Sequence, residues 1–261
     1  MIRRGFKAIG LIFIFATSIS SLYLFNLFFM KPLSIDHYLG KEILVDLVGS
    51  PEYMTYMGVF DSLNWATNHN AELSIIGKDD IQNDIKGSQK SLKLLNRYED
   101  SSLSDSQKIT KRIAIFDIEN GLNQLENFPY HDYPLNQVRG AHHNVISFMS
   151  DQHPVRNYSE AKDFIKRTDL VKDVFTGQLD WLKKQAAEGI YAPEFVYDHI
   201  INQLNELINY SVDEHPLYTE FFKKVKLLNI SELNFSSLDN DLRTSIKTSV
   251  TPGFVLLRDF M

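Results

Sequence analysis

Read as a pattern of apolar and polar positions, the chain is helical from end to end. Between Ser159 and Glu188, Ala161, Phe164, Ile165, Val171, Val174, Phe175 and Leu182 recur at three- and four-residue steps. That period stacks them on one face of a single long helix, with Asp and Lys on the other. Ser159 can cap the first turn, and Gly189 can end the helix in the left-handed conformation. Pro193 suits the first position of a second helix, where its missing N–H costs nothing. That helix carries Phe195, Val196, Ile200, Leu204, Leu207 and Ile208 on one stripe. The two are expected to form a hairpin whose facing stripes bury each other.

Similar patterns predict further helices. Ser34 to Leu47 places Ile35, Leu39, Ile43 and Leu47 together, and Pro51 and Gly58 bracket a short turn of helix. Asp79 to Tyr98 aligns Ile81, Ile85, Leu92 and Leu95. Ser104 and Gln107 form a capping box, each side chain able to satisfy the other's backbone N–H. The helix they open runs to about Phe128, with Ile109, Ile113, Phe116 and Leu125 expected inward. Short helices follow at Val138 to Met149 and Pro216 to Asn229. A last helical segment from Leu238 is expected to break at Thr251-Pro252-Gly253. Nowhere do Val, Ile and Thr alternate with polar residues between turn signals, so no strand is predicted. The fold class is all-α: a bundle or array of long antiparallel helices.

The N-terminus adds a second feature. Arg3, Arg4 and Lys7 precede a charge-free run from Ala8 to Met30. About 23 residues at ~1.5 Å rise give roughly 34 Å, enough to cross a ~30 Å hydrocarbon core. Residues 1–31 are therefore read as a membrane anchor or a signal segment, and 34–261 as a helical domain. Thr17, Ser18, Ser20 and Ser21 could host a signal cleavage, although no Ala-x-Ala site is present. Three cations before the run and only Lys31 just after it place the N-terminus in the cytoplasm. The expectation is a single-pass protein of the cytoplasmic membrane with its helical domain outside. The alternative is a secreted or periplasmic protein released by cleavage.

Composition narrows the chemistry. The net charge of −6 gives no basic face for nucleic acid, so no nucleic-acid partner is expected. Without cysteine, disulfides, thiol nucleophiles and thiolate metal sites are excluded. None of the eight histidines is followed by Glu, so the zinc-peptidase pattern is absent. G-x-S-x-G and the phosphate-binding glycine loops are missing as well. No catalytic residue, metal ligand or cofactor is assigned. What remains is polar residues that could line a cleft. Asn136, Gln137, Arg139 and Gly140 stand at a helix start, where amides and a guanidinium can bind a carboxylate or peptide backbone. His143, beside His142, and His153, before Pro154, complete the set.

These residues carry a family likeness. PEYMTYMG (Pro51 to Gly58), LNQVRG (Leu135 to Gly140), QHPV (Gln152 to Val155) and the run from Glu160 to Leu204 resemble the N-terminal half of the bacterial "domain of unknown function 885" family. The resemblance covers roughly Ile35 to Met261. It implies an all-helical, metallopeptidase-like fold, in often secreted or lipid-anchored proteins more than twice this length. The family's zinc motif, of the His-Glu-x-x-x-His-His type, belongs to its C-terminal half and matches no position here.

The resemblance thus implies a truncated or split member, not catalytic alone, with zinc entering only through a C-terminal half, which could be separately encoded. A peptide-binding module is the alternative, and an intact hydrolase a third. In a half-fold, Phe254, Val255, Leu256, Leu257 and Phe260 are expected to remain exposed.

Overall fold

A computed structural model describes residues 2–75 and 81–261, with side chains from residue 13 onward. Thirteen α-helices are present among the described residues, and no strand. The chain forms two compact units. Unit 1 comprises Met1–Asp46 and Gln82–Asn127; unit 2 comprises Leu47–Ile81 and Phe128–Met261.

Unit 1 contains α1 (Ile2–Phe29), α2 (Ile35–Gly49, whose last turn enters unit 2), α5 (Ile81–Leu95) and α6 (Asp105–Asn127). Helix α1 holds 28 residues, about 42 Å at ~1.5 Å per residue. Its first turns, with Arg3, Arg4, Lys7 and the start of the expected apolar run, lie outside the residues whose side chains are described. Among the described residues, no helix is long and apolar enough to cross a membrane. The residues of α1 that are described leave Phe13, Ile14, Phe15, Leu22, Phe25 and Phe29 exposed.

The core of unit 1 is small: Ile35, Tyr38, Leu95 and Tyr98, flanked by Leu39, Leu94, Ala114, Ile115 and Ile118. The Tyr98 hydroxyl donates to the Pro32 carbonyl at 2.8 Å, and burial pushes its pKa up to about 12. Helix α6 begins with the expected capping box. Ser104 N–H donates to Gln107 Oε1 at 3.0 Å, and Gln107 N–H donates to Ser104 Oγ at 3.3 Å. The expected inward stripe does not hold, because Ile109, Ile113 and Phe116 are exposed. The helix carries two apolar stripes, and the one through Ala114, Ile115, Ile118 and Leu122 is turned inward.

Unit 2 contains α3 (Pro51–Met57), α4 (Asn64–Thr67), α7 (Ala141–Ser147), α8 (Tyr158–Asp169), α9 (Val171–Ala187), α10 (Glu194–Asn209), α11 (Pro216–Val225), α12 (Glu232–Ser245) and α13 (Thr251–Phe260). Its core joins twenty-five buried apolar residues, with aromatic pairs such as Phe164–Phe221 and Phe175–Phe254.

The single long helix expected from Ser159 to Glu188 is two helices. They part at Leu170, and the cap of α8 is Asn157, whose side chain accepts from Glu160 N–H. No proline or glycine marks the break. Ser249 creates it from a distance, accepting from Lys172 N–H at 3.0 Å and donating to Asp169 C=O at 2.8 Å. One hydroxyl thus satisfies a donor and an acceptor that a continuous helix would have paired internally.

Helices α9 and α10 do not form a self-contained hairpin. Each packs chiefly against α13, while α8 packs on α12 and on the π-turn Ile246–Val250. Gly253 permits the close approach, since a Cβ there would lie 2.8 Å from Phe175 Cδ2. The expected break at Thr251-Pro252-Gly253 is absent. The π-turn widens the backbone just before Pro252, so the ring and missing N–H are absorbed at the first turn of α13. The expected exposed C-terminal stripe is divided: Phe254 and Leu257 are fully buried, Val255 and Leu256 half-buried, and Phe260 exposed.

Candidate functional site

The polar centre of unit 2 is Arg167, the largest fully buried side chain described. It lies three residues after Phe164 and four before Val171, on the apolar stripe of α8. Among the described residues, the guanidinium makes no ion pair. Its Nε donates to Glu72 C=O at 2.8 Å. Nη2 donates to His69 C=O at 2.5 Å and to Thr55 Oγ1 at 2.9 Å, and Nη1 meets His153 Nδ1 at 2.9 Å. Phe148 covers one face, 4.9 Å from ring centre to guanidinium carbon. A buried charge is tolerated only when hydrogen-bonded, and here neutral dipoles do that work. Burial lowers the Arg167 pKa to about 10, which leaves it charged at neutral pH.

Arginine can only donate, so His153 Nδ1 must accept and the ring proton sits on Nε2. That nitrogen faces Glu160 C=O at 3.2 Å. Protonating His153 would bury a second cation against the first. Burial, reinforced by Arg167, lowers its pKa to about 3. Both ring nitrogens are occupied and the residue is 1% exposed, so this imidazole is fixed as a neutral connector.

Around this pair runs a wider polar shell. Thr55 donates to Asn70 Oδ1 at 2.8 Å, Asn70 N–H to Asn64 Oδ1 at 3.0 Å, and Asn64 Nδ2 to Asp163 Oδ2 at 3.0 Å. His69 Nδ1 lies 2.7 Å from Thr67 Oγ1, while its Nε2 is 3.6 Å from Asp61 Oδ1, too far for a hydrogen bond. Burial lowers the His69 pKa, and the Asp61 carboxylate opposes that. Asp61 also pairs with Arg156 at 2.7 Å, and Arg156 with Glu160 at 2.9 Å. The network ties α3, the turn at 69–71 and α8 into one block.

Five of the six residues singled out from the sequence gather at the start of α7. Asn136 Oδ1 accepts from the N–H groups of Val138 (3.0 Å) and Arg139 (2.7 Å), closing the turn into the helix. Gln137 C=O accepts from Gln203 Nε2 at 3.1 Å, so Gln203 Oε1 is left to accept from His142 Nε2 at 3.0 Å. His142 is buried with Nδ1 unpartnered, and burial lowers its pKa to about 4. Gly140 makes room for it, because a Cβ there would lie 2.4 Å from His142 Cε1 and 2.5 Å from Asn136 C=O. His143 is half-buried, its ring 4.5 Å from that of His142, and Arg139 is exposed. The sixth, His153, shares no hydrogen bond with these five and belongs to the Arg167 network. Arg167, His69, Thr55 and Asn70 were not singled out; the available signal was an arginine on an apolar stripe.

Open grooves mark the surface of the described residues. One of about 700 Å³ runs beside α9 and α13, lined by Leu179, Pro252, Val255, Leu256 and Phe260 with Lys172 and Lys183 at its edge. A second, of about 320 Å³, lies between Tyr133, Leu182, Tyr191 and Met261. A third, of about 460 Å³, is in unit 1. Among the described residues, no three of His, Asp and Glu converge to hold a metal ion.

The fold and its buried polar network define an all-helical protein organised around an unpaired arginine. The chain belongs to the family of bacterial proteins of unknown function DUF885, whose profile matches residues 51–261. Its fold is similar to that of the putative lipoprotein from Colwellia psychrerythraea, with a TM-score of 0.65 at 14% identity. The match covers 84% of this chain and 40% of that one, so the chain spans less than half that structure's length. No curated protein matches it.

Proposed function

We propose that this chain is a membrane-anchored helical scaffold of the bacterial cell envelope, held by α1 with its helical domain outside and not catalytic by itself. The observation that supports this is the apolar surface of α1. From Phe13 to Phe29 its large apolar side chains are exposed, apart from the half-buried Tyr23 and Leu27, and no charged residue interrupts them. In water that surface is costly; in hydrocarbon it needs no partner, and a helix satisfies its own backbone. The Colwellia protein is described as a lipoprotein, which agrees with an envelope location. The test is alkaline carbonate extraction of membranes bearing the full chain, with protease added from the outer face. Retention in the pellet with unit 2 cleaved from outside is expected. Release into the supernatant, or protection of unit 2, overturns the reading.

A second reading, compatible with the first, is favoured by the groove beside α13. Its half-buried Val255 and Leu256, with Leu179 and Pro252, suit an apolar helix or peptide. The partner this reading favours is the second half of the family's fold, which would also bring any zinc ligands. Co-expression with a polypeptide carrying the family's His-Glu motif should give a complex that Leu256→Glu disrupts. If the two chains do not co-purify, this reading falls.

A further inference from the structure

The groove of unit 1 combines two chemistries. Its floor is the last turn of α1 and the following link, through Leu27, Phe28, Met30 and Pro32. Its far wall is α5, where Lys90 and Lys93 stand three residues apart on one face, and the turn just after that helix, which adds Arg97 to the same lining. The near wall, from α2, contributes Lys41 and the only acid in the lining, Glu42, and these two already form an ion pair with each other. Among the described residues, Lys90, Lys93 and Arg97 make no ion pair. Three exposed cations gathered in one groove stand out in a chain of net charge −6. Lys31 secures the arrangement, donating to Arg97 C=O at 2.8 Å and lying 4.5 Å from the centre of the Tyr98 ring. At Gly87, on the same wall, a Cβ would meet nothing within 4 Å, so the groove is open there.

We propose that this groove binds the headgroup of an anionic phospholipid from the leaflet in which α1 ends. The phosphate sits among Lys90, Lys93 and Arg97, and the acyl chains run back along Phe28 and the rest of α1. Charge complementarity selects the headgroup, and the position at the end of the apolar helix selects a lipid over a soluble anion. The inference rests on the reading of α1 as a membrane anchor. A cation close to an anionic membrane surface strengthens attachment by about fivefold, less at high salt.

The test uses the full chain in nanodiscs of mixed phosphatidylcholine and phosphatidylglycerol, with retained lipid identified by native mass spectrometry. Enrichment of phosphatidylglycerol over the bulk mixture is expected. The triple variant Lys90→Gln, Lys93→Gln, Arg97→Gln should lose it, whereas Lys183→Gln, Lys223→Gln, Lys226→Gln in unit 2 should keep it. These side chains are exposed, so circular dichroism should show all variants folded. A chain that enters the nanodisc yet retains lipid in bulk proportion overturns this inference and leaves the anchor standing. A chain that retains inorganic phosphate but shows no lipid preference also overturns it. A chain that does not enter at all overturns both.

Discussion

The two units bury very different amounts of apolar side chain. Among the described residues, twenty-five buried side chains form one continuous cluster in unit 2, and four do in unit 1. Unit 2 also encloses its arginine, while unit 1 leaves Lys90, Lys93 and Arg97 at the surface beside an apolar helix end. Ile43, Leu44 and Val45 on α2 and Ile109, Ile113 and Phe116 on α6 are exposed as well. A core that small contributes little stability in water, and outward apolar faces usually mark an interaction surface. Unit 2 has a continuous apolar core of its own. The small core and apolar exposed faces of unit 1 accord with the proposed anchor.

Acid should separate the units most sharply. His142, His153 and His215 are buried in unit 2, with pKa values lowered by burial to about 4, 3 and 4. Unit 1 holds only His37, which is exposed. Each buried ring takes up its proton more readily unfolded than folded. Stability is therefore intact above about pH 6.5 and falls as pH drops toward 4, by on the order of 3 kcal/mol per histidine at pH 4. The sum, roughly 9 kcal/mol, rivals the stability of a whole domain. Hydrogen exchange across pH 7 to 4 should show unit 2 amides losing protection first; simultaneous loss in unit 1 would break the distinction.

Arg167→Met comes next. It leaves the carbonyls of His69 and Glu72 and the Nδ1 of His153 without their donor, at a cost of about 3–5 kcal/mol. Urea melting should shift for unit 2 only, and the His153 pKa, read by NMR, should rise once the neighbouring cation is gone. Gly140→Ala is expected to cost about 1–3 kcal/mol, because the new Cβ collides with both the His142 ring and the Asn136 carbonyl. A displaced His142 ring resonance would report it. The smallest effect belongs to Ser104→Ala, about 1 kcal/mol, which should loosen the first turn of α6 in unit 1 and leave unit 2 unchanged. Amide exchange at Gln107 measures it directly.

Local chemistry was legible in the sequence and tertiary choice was not. The capping box at Ser104, the proline-led turn at Pro51 and the left-handed Gly189 could be read because each depends on neighbours a few residues away. The stripe of α10 was legible at Val196, Ile200, Leu204 and Leu207, although Phe195 faces water. On α6 two apolar stripes compete, and periodicity cannot say which one finds a partner. The candidate centre was hidden for a related reason. Charged residues on an amphipathic helix ordinarily mark the solvent side, and the carbonyls of His69 and Glu72, with Thr55 and His153, make a buried position for Arg167 tolerable. The start of α7 was readable as polar residues at a helix start, but nothing local reveals that Asn136 closes the turn into it or that Gln203 reaches back to Gln137 and His142.

The serine that parts α8 from α9 also bears on the order in which the chain can mature. Ser249 lies about eighty residues downstream of the carbonyl it bonds. At translation rates of 5–20 residues per second, roughly four to sixteen seconds separate the synthesis of the two. Until then the nascent chain has every local reason to remain one straight rod, and the bend arrives only with the C-terminal helices. A segment about eighty residues downstream therefore completes the geometry of the middle, and a ribosome-arrested chain stopped short of residue 249 should still hold that rod unbroken.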